Sequence, residues 1–234
     1  MRVLLTRPRA AAERLAQDLA ARGHEVLIEP LLTIEPLPGP LPELAGVQAL
    51  VITSANAAPA LAGTDPRLPV FVVGSATAAA ARRAGWRDVR VGEGDARGLA
   101  RLIACQLRPA DGALLHLSGS EVRAVLGHHL AAAGFALRRH AVYRARAAEE
   151  LSAEVVAALR AGEVDAVLLF SPRSAAILVD LLARHGVADA LGGIEAVCLS
   201  EAVAEPCRRL PWRIRVAARP EVAVVVGQLE GGGR

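Results

Sequence analysis

Short groups of hydroxyl, amide and glycine residues recur along the chain, and each group directly follows a run of apolar residues. Six groups occur, with the sequences TRP (6–8), TSAN (53–56), GSAT (74–77), SGSE (118–121), SPRS (171–174) and SEA (200–202). Each group alone is typical of an ordinary helix N-cap. Six of them at the ends of parallel strands would present helix N-termini with unpaired N–H groups, which favours a carboxylate or phosphate ligand.

Tyr143 is the only tyrosine in the chain. A single tyrosine is commonly a packing residue whose hydroxyl group bonds to the backbone, and that interpretation stays open at this point. If the phenol instead faces a ligand cleft, it can donate a proton. Tyr143 is therefore the candidate catalytic residue, with packing as the alternative.

The basic residues and the motifs exclude several classes of enzyme. All 27 basic side chains are arginines, so Schiff-base enzymes, pyridoxal phosphate enzymes and Walker A proteins are excluded, because each needs a lysine. The GxGxxG fingerprint and the GxSxG motif are also missing. Cys105, Cys198 and Cys207 are far apart and are expected to pack in the interior, and the six histidines show no metal-binding spacing. We therefore expect no cofactor and no metal.

The composition gives little indication of a macromolecular partner. The net charge of +3 is modest and aromatic residues make up 3% of the chain, so a nucleic-acid surface with stacking aromatics is not indicated. No apolar run reaches the roughly 18 residues of a membrane span, and the first strand is too short for a signal peptide. We expect a monomer in the cytoplasm, with no membrane or nucleic-acid partner.

Apolar runs alternate with amphipathic helical segments along the chain. The predicted strands are 2–6, 25–28, 48–53, 70–73, 89–91, 113–117, 136–143, 165–170, 196–199 and 214–217. Runs such as ALVIT and AVLLF are apolar without alternation, which indicates parallel strands covered on both faces. A helix follows the first strand, with Pro8 in its first turn, Gly23 at its end, and Leu15 and Leu19 on one apolar face. The pattern predicts an α/β protein with parallel sheets.

The sequence also contains an internal repeat. Three segments match later ones at nearly constant offsets: 23–36 with 134–147, 47–61 with 164–178, and 70–86 with 196–212. The last pair aligns without a gap and places Trp86 on Trp212. Two similar α/β domains are therefore predicted.

Two extended segments are predicted to connect these domains. The first connector is the proline-rich segment 33–39, and the second is its repeat partner, 139–149. The first domain is then discontinuous and comprises residues 1–32 and 150–234, and the second comprises residues 40–138. Such a hinge would leave a cleft between the domains, lined by the strand-to-helix turns.

Motifs in a characteristic order span nearly the whole chain. They are LLTRP, VITSANA, VFVVGSATA, the arginine of SGSEVR, AVYRA, LLFSPRSA and VRVAARP. In this order they resemble the uroporphyrinogen-III synthase family, which implies two α/β domains joined by a two-stranded connector, the first being discontinuous. Members of that family are lyases of porphyrin (haem) biosynthesis that close the linear tetrapyrrole hydroxymethylbilane, invert its ring D and release water, without cofactor or metal.

The resemblance implies roles for individual residues. Tyr143 would help the substrate hydroxyl group to leave, by a hydrogen bond or by proton donation. Groups at the strand ends would bind the eight carboxylates of the substrate: Thr6, Arg7, Ser54, Asn56, Gly74, Ser75, Thr77, Ser118, Gly119, Arg123, Ser171 and Ser200. Glu201 departs from the family pattern, because a carboxylate beside Ser200 would repel an acidic substrate.

Two other functions use the same kind of fold. A hinged two-domain binding protein for a small anion needs the same turns and no catalysis, and a secretion signal would favour it. A sugar-phosphate or nucleotide enzyme should instead show an acidic metal-binding pair at a strand end, and none is evident in the sequence.

Overall fold

The computed structural model describes residues 1–122 and 124–230, which form two compact units. Unit 1 comprises Met1–Thr33 and Arg146–Arg234, and unit 2 comprises Ile34–Ala145. The chain therefore leaves unit 1 after Thr33 and returns to it after Ala145.

The described residues contain eleven strands and eight α-helices. The strands are β1 (Arg2–Leu5), β2 (Glu25–Ile28), β3 (Leu32–Pro36), β4 (Val47–Ile52), β5 (Val70–Val73), β6 (Val89–Gly92), β7 (Ala113–Gly119), β8 (Leu137–Ala147), β9 (Ala166–Leu169), β10 (Glu195–Cys198) and β11 (Arg213–Val216). The helices are α1 (Arg9–Ala21), α2 (Gly74–Arg83), α3 (Ala96–Gln106), α4 (Val125–Ala132), α5 (Ala153–Arg160), α6 (Pro172–Arg184), α7 (Glu201–Cys207) and α8 (Val222–Gly227). Short 3₁₀ helices cover Ala55–Gly63, Pro109–Asp111 and Ala188–Gly193.

The two sheets have the same strand order once the internal repeat is taken into account. The sheet of unit 1 runs β2-β1-β9-β10-β11, and all of its pairings are parallel. The other sheet runs β3-β8-β7-β4-β5-β6, and β8 to β6 pair in parallel. The five strands of the first sheet thus correspond, in order, to β8, β7, β4, β5 and β6. The predicted α/β class with parallel sheets is confirmed, and so is the repeat.

The local sequence of helix α1 explains where the helix begins, where it ends and which face is buried. Pro8 stands at its N-cap, and Gly23 follows its end with φ +80°, a conformation that residues with a Cβ rarely adopt. Ala12, Leu15 and Leu19 share one face and are buried. These are the positions at which the sequence predicts a start, a stop and an apolar face.

Part of the proline-rich segment, which was predicted to be extended, forms strand β3 at the edge of the second sheet, although the predicted strands do not include it. Its extended backbone suits an edge position, where proline's missing N–H disrupts no ladder. Leu37 N donates to Val142 O of β8 at 3.0 Å, and Glu35 forms an ion pair with Arg144 at 2.6 Å. The second predicted connector likewise lies largely within β8.

Apolar residues cover both faces of both sheets. All four residues of β9 are buried, as expected for a parallel strand between two helical layers. The two tryptophans of the repeat are buried in equivalent places: Trp86 Nε1 donates to Leu68 O at 2.9 Å, and Trp212 Nε1 donates to Cys207 O at 2.7 Å. In the described part of the chain, no helix has the length and hydropathy that a bilayer crossing needs.

The cysteines divide into two buried residues and one exposed residue. Cys198 and Cys207 are fully buried in the core of unit 1, as predicted. The prediction is wrong for Cys105, which is exposed, because it lies on the solvent side of α3 near the helix end. Hydrogen bonding with Cys207 and burial raise the pKa of the Cys198 thiol.

We expect one thiol per chain to react rapidly with an aromatic disulfide reagent in the native protein, and three to react in denaturant. Reaction needs an accessible thiolate, which only Cys105 among the three provides without unfolding. The released chromophore counts the thiols, and Cys105→Ser, which should abolish the fast phase, is the control. Rapid reaction of two thiols in the native protein would contradict the packing of unit 1.

Candidate active site

A pocket of about 610 Å³ opens within unit 2 at the carboxyl ends of its strands. Its walls come from the turn after β4, the turn between β6 and α3, the end of β7, helix α4 and strand β8. The lining residues are Thr53, Asp95, Ala96, Arg97, His116, Gly119, Glu121, Val122, Val125, Leu126, His129 and Tyr143. We call this cavity the unit 2 pocket. A volume of this size is typical of a binding site for a small molecule.

Tyr143 lines the unit 2 pocket from strand β8. Its ring is half-buried and packs against the end of β7. The hydroxyl group makes no hydrogen bond to any residue in 1–122 or 124–230. A tyrosine whose hydroxyl group forms a hydrogen bond to the backbone would be a packing residue. The hydroxyl of Tyr143 is instead available to a molecule in the pocket.

A buried histidine lies at the base of the same pocket. His116 is 2% exposed, and its Nε2 lies 3.1 Å from Thr53 Oγ1. Burial, together with the positive charge of Arg139, lowers the pKa of His116 to about 4. The imidazole is therefore neutral at pH 7 and offers one donor and one acceptor.

Sequence reasoning missed both members of this hydrogen bond. The only available signal was that His116 is the single ionisable residue in the buried run ALLHLSG of β7. A polar group in a strand covered on both faces needs a partner, so its presence there can be noticed without a structure. Thr53 could not have been distinguished from an ordinary turn residue.

Charged groups of both signs line the mouth of the pocket. Asp95 caps helix α3, since its Oδ1 accepts from Gly98 N at 2.7 Å. Arg97, in the first turn of α3, is exposed and forms no ion pair with any described residue. Its guanidinium is therefore available to an anionic ligand. Sequence reasoning missed Arg97 as well, because no local pattern separates it from the other surface arginines.

The structure brings two of the predicted site residues into the pocket, Tyr143 and Gly119. Ser118 lies beside them but is buried, and its hydroxyl group donates to Gly119 O at 3.0 Å and accepts from Arg139 Nε at 3.1 Å. The hydroxyl group of Ser118 is therefore already engaged, with the backbone and with Arg139. Arg123 lies outside the described residues.

The other predicted residues of unit 2 lie at the carboxyl ends of β4 and β5. Ser54 Oγ accepts from Asn56 N at 3.2 Å, so Ser54 acts as the N-cap of the 3₁₀ helix there. Gly74 opens helix α2 with φ +75°, and no side chain caps that helix. Ser75 in its first turn is exposed, and Thr77 is buried.

In unit 1 the predicted residues lie at the carboxyl ends of β1, β9 and β10. Thr6 is buried, and its hydroxyl group donates to Leu168 O at 3.2 Å. Ser171 Oγ accepts from Ser174 N at 3.0 Å and caps α6. Ser200 stands before α7 without a capping hydrogen bond. The carboxylate that follows it, Glu201, pairs with Arg208 at 2.7 Å, which offsets part of its negative charge.

Arg7 has the most unusual setting among these residues. Its guanidinium carbon lies 4.7 Å from the centre of the Phe170 ring, in a cation–π contact. Burial, with a smaller effect from Arg14, lowers the pKa of Arg7. Among the described residues no carboxylate pairs with it. A half-buried arginine without a carboxylate partner is ready to bind one from a ligand.

The described residues contain no group of three histidine, cysteine, aspartate or glutamate side chains placed to bind a metal ion.

Comparison with known proteins gives one family. Residues 13–226 match the family model of uroporphyrinogen-III synthase HemD. The chain is similar in structure to uroporphyrinogen-III synthetase from Helicobacter pylori, at 16% identity and a TM-score of 0.70, covering 99% of both chains. It is also similar to a mutant uroporphyrinogen III synthase from Thermus thermophilus, at 21% identity and a TM-score of 0.56, covering 99% of this chain and 96% of that one. At such identities the structures show a shared fold and assign no residue roles. No curated protein sequence matches the chain significantly.

Proposed function

The chain belongs to the uroporphyrinogen-III synthase family, which acts in tetrapyrrole biosynthesis, and on this basis we propose that it converts hydroxymethylbilane into uroporphyrinogen III. The enzyme is then a cyclising lyase. One observation carries the assignment to a site: a phenol without a hydrogen-bond partner among the described residues lines a ligand-sized pocket at the carboxyl end of a parallel sheet.

Tyr143 assists the loss of water in this proposal. The bond between the hydroxymethyl carbon and its oxygen breaks, the oxygen takes up a proton and leaves as water, and the pyrrole ring becomes a cation. The phenol stabilises the departing oxygen by a hydrogen bond or by donating the proton. The substituted carbon of ring D then attacks the cation and forms a spiro intermediate. The bond from that carbon to the methylene bridge of ring C breaks, and the bridge bonds instead to the unsubstituted carbon of ring D next to nitrogen. Loss of the proton from that carbon restores the pyrrole and leaves ring D inverted.

Control of conformation is the main task left to the protein. Hydroxymethylbilane is a flexible chain, so holding its two ends together removes much of the entropic barrier to closure. The apolar wall formed by Val122, Val125 and Leu126 suits the faces of a pyrrole ring and excludes water.

Carboxylate binding is assigned to groups spread over both units. Arg7 and Arg97 supply positive charge without carboxylate partners of their own among the described residues. The predicted set Ser54, Asn56, Gly74, Ser75, Thr77, Ser118, Gly119, Arg123, Ser171, Ser200 and Thr6 stays part of the proposal. Thr6 and Ser118 contribute through their backbone or through neighbouring groups, since their hydroxyl groups are already engaged.

A product assay tests the proposed function. We expect purified protein to convert enzymatically generated hydroxymethylbilane into uroporphyrinogen III, with a chelator present and no cofactor added, because the sequence has neither metal-ligand spacing nor a nucleotide loop. Chromatography separates this isomer from isomer I, which forms without enzyme. Excess isomer I in every reaction would contradict the proposal, and binding without turnover would favour the hinged binding protein. Chelator inhibition reversed by a divalent ion would contradict the metal-free mechanism.

The proposal also includes a monomeric, cytoplasmic enzyme whose two domains correspond to the predicted bounds. Light scattering measures the mass, for which 24.3 kDa is expected.

A further inference from the structure

The end of strand β7 and Tyr143 are in closer contact than any side chain there would allow. Ideal placement of a Cβ atom on Gly119 puts it 2.9 Å from Cζ, 3.0 Å from Cε2 and 3.1 Å from the hydroxyl oxygen of Tyr143. We propose that Gly119, held in place by Arg139, is the positioning residue that sets where the Tyr143 phenol lies in the unit 2 pocket. This inference rests on the proposed function and names two residues that act through Tyr143.

The conflict at Gly119 is purely steric. Its φ lies outside the left-handed region, so alanine can adopt the same backbone conformation. The three nearest atoms to the added Cβ all belong to the phenol ring. A methyl group at this position would therefore displace the ring or the strand, and leave the local backbone conformation unstrained.

Four hydrogen bonds prevent the end of β7 from moving away from β8. Arg139 Nε donates to Ser118 Oγ at 3.1 Å, and its Nη2 donates to Gly119 O at 2.9 Å and also to Ser120 O. Ser120 N donates to Tyr143 O at 2.8 Å. The pairing register shifts between Ser118 and Gly119, which aligns Gly119 with Tyr143. The tyrosine ring is therefore the part that must yield to a methyl group.

The side chain of Arg139 holds the end of β7 in place. Its hydrogen bonds within the described residues all go to one hydroxyl and two carbonyl groups, and it forms no ion pair with a carboxylate there. It lies on β8, four positions before Tyr143, so its side chain ties the end of β7 to the strand that carries the phenol. Its fork of donors spans three successive residues, which a lysine ammonium cannot do.

The consequence for the reaction concerns where the phenol oxygen lies. A misplacement of about 1 Å in a reacting group can cost about a hundredfold in rate. Gly119 belongs to the set proposed to bind the substrate carboxylates, which its backbone can do without a side chain. Its contact with the ring of Tyr143 gives it a second role.

Gly119→Ala is the principal test. We expect it to lower kcat at least about tenfold while changing KM less than about threefold, because the substrate contacts remain and the phenol moves. Gly127→Ala is the matched control: Gly127 lies inside helix α4, and the nearest atom to its added Cβ is Leu137 Cδ2, at 3.9 Å. That variant should retain wild-type kcat.

The single tyrosine permits a readout that does not depend on activity. With ¹³C-labelled tyrosine, the protein gives one set of ring signals, which can be followed with pH to titrate the phenol. Gly119→Ala should shift these signals and Gly127→Ala should leave them in place. If the chain makes no uroporphyrinogen III, the proposed function fails, and the ring signals still test the positioning. Unchanged signals with unchanged kcat in Gly119→Ala would overturn the inference.

Two further variants separate positioning from a loss of folding or charge. Arg139→Lys keeps the positive charge but cannot form hydrogen bonds to three successive residues of β7 and its end. It should therefore reduce kcat nearly as much as Arg139→Met. Full rescue by lysine would overturn the role of Arg139. In a Tyr143→Phe background, Gly119→Ala should cause little further loss, because both substitutions act on one group. If the reductions in kcat caused by the two single substitutions multiply in the double variant, the inference is overturned. If Gly119→Ala does not fold, the comparison of Arg139→Lys with Arg139→Met decides the inference.

Discussion

Replacement of Tyr143 by phenylalanine should lower turnover about a hundredfold or more, while the fold remains intact. The change removes only the hydroxyl group, which has no partner among the described residues, so no internal hydrogen bond is lost. A general acid typically contributes about a hundredfold to ten-thousandfold. The measurement is the rate of uroporphyrinogen III formation, compared with uncatalysed formation of isomer I.

Two hydroxyl variants serve as controls for Tyr143→Phe. Ser54→Ala and Thr77→Ala should each reduce turnover roughly twofold to tenfold, since one neutral hydrogen bond contributes about 0.5 to 1.5 kcal/mol. Thr77 is buried, so the thermal stability of its variant must be checked before its rate is compared. Retention of more than about a third of wild-type turnover by Tyr143→Phe would show that the phenol has a packing role and performs no chemistry.

The second large effect concerns His116 and the pH dependence of stability. The pKa of His116 is lowered from its ordinary value of 6.5 to about 4 in the folded protein, so between these two pH values the unfolded chain binds a proton that the folded chain does not. The contribution of neutral, buried His116 to the free energy of unfolding is then fully present above pH 6.5, and it is lost as the pH falls towards 4. The shift corresponds to about 3 kcal/mol of unfolding free energy.

Comparison with His116→Gln isolates this contribution. Glutamine can still form a hydrogen bond to Thr53 and does not titrate. Both proteins contain the same carboxylates, so the effect of carboxylate titration on stability cancels in the difference between them. We expect the wild type to lose about 3 kcal/mol more than the variant between pH 7 and pH 4. Denaturant titrations can follow Trp86, which lies in the same unit, in a Trp212→Phe background. Parallel stability profiles for the two proteins would rule out a buried neutral His116.

Sequence patterns predict the fold well where a single local cause acts. Helix α1 has its proline, its glycine and its apolar face at the expected positions, and the buried run of β9 has the composition of a covered parallel strand. The predicted strands do not include β3, because the proline content indicates an extended connector, while a tertiary neighbour, β8, decides whether an extended chain becomes an edge strand.

The site was only partly predictable for a similar reason. Tyr143 was found because it is unique and occurs in a motif of the family. The contact between Gly119 and Tyr143 depends on a register shift at the end of β7, which no periodicity encodes. Thr6 and Ser118 look like ligand-binding hydroxyl residues in the sequence, yet their hydroxyl groups bond to backbone carbonyls. The residue type determines which hydrogen bonds a side chain can form. The pairing of the strands determines which partner lies within reach of it.

The division of the chain into units also determines the order in which they can fold during synthesis. All of unit 2, Ile34–Ala145, leaves the ribosome before β9, the strand that pairs with β1, leaves it. The hydrogen bond from Thr6 to Leu168 spans 162 residues, so at about 5 to 20 residues per second β1 waits roughly 8 to 30 seconds for its partner. During that interval the first segment, Met1–Thr33, lacks the strand that covers one edge of β1. The inserted unit can thus be complete on the nascent chain while the unit that surrounds it in sequence is still open.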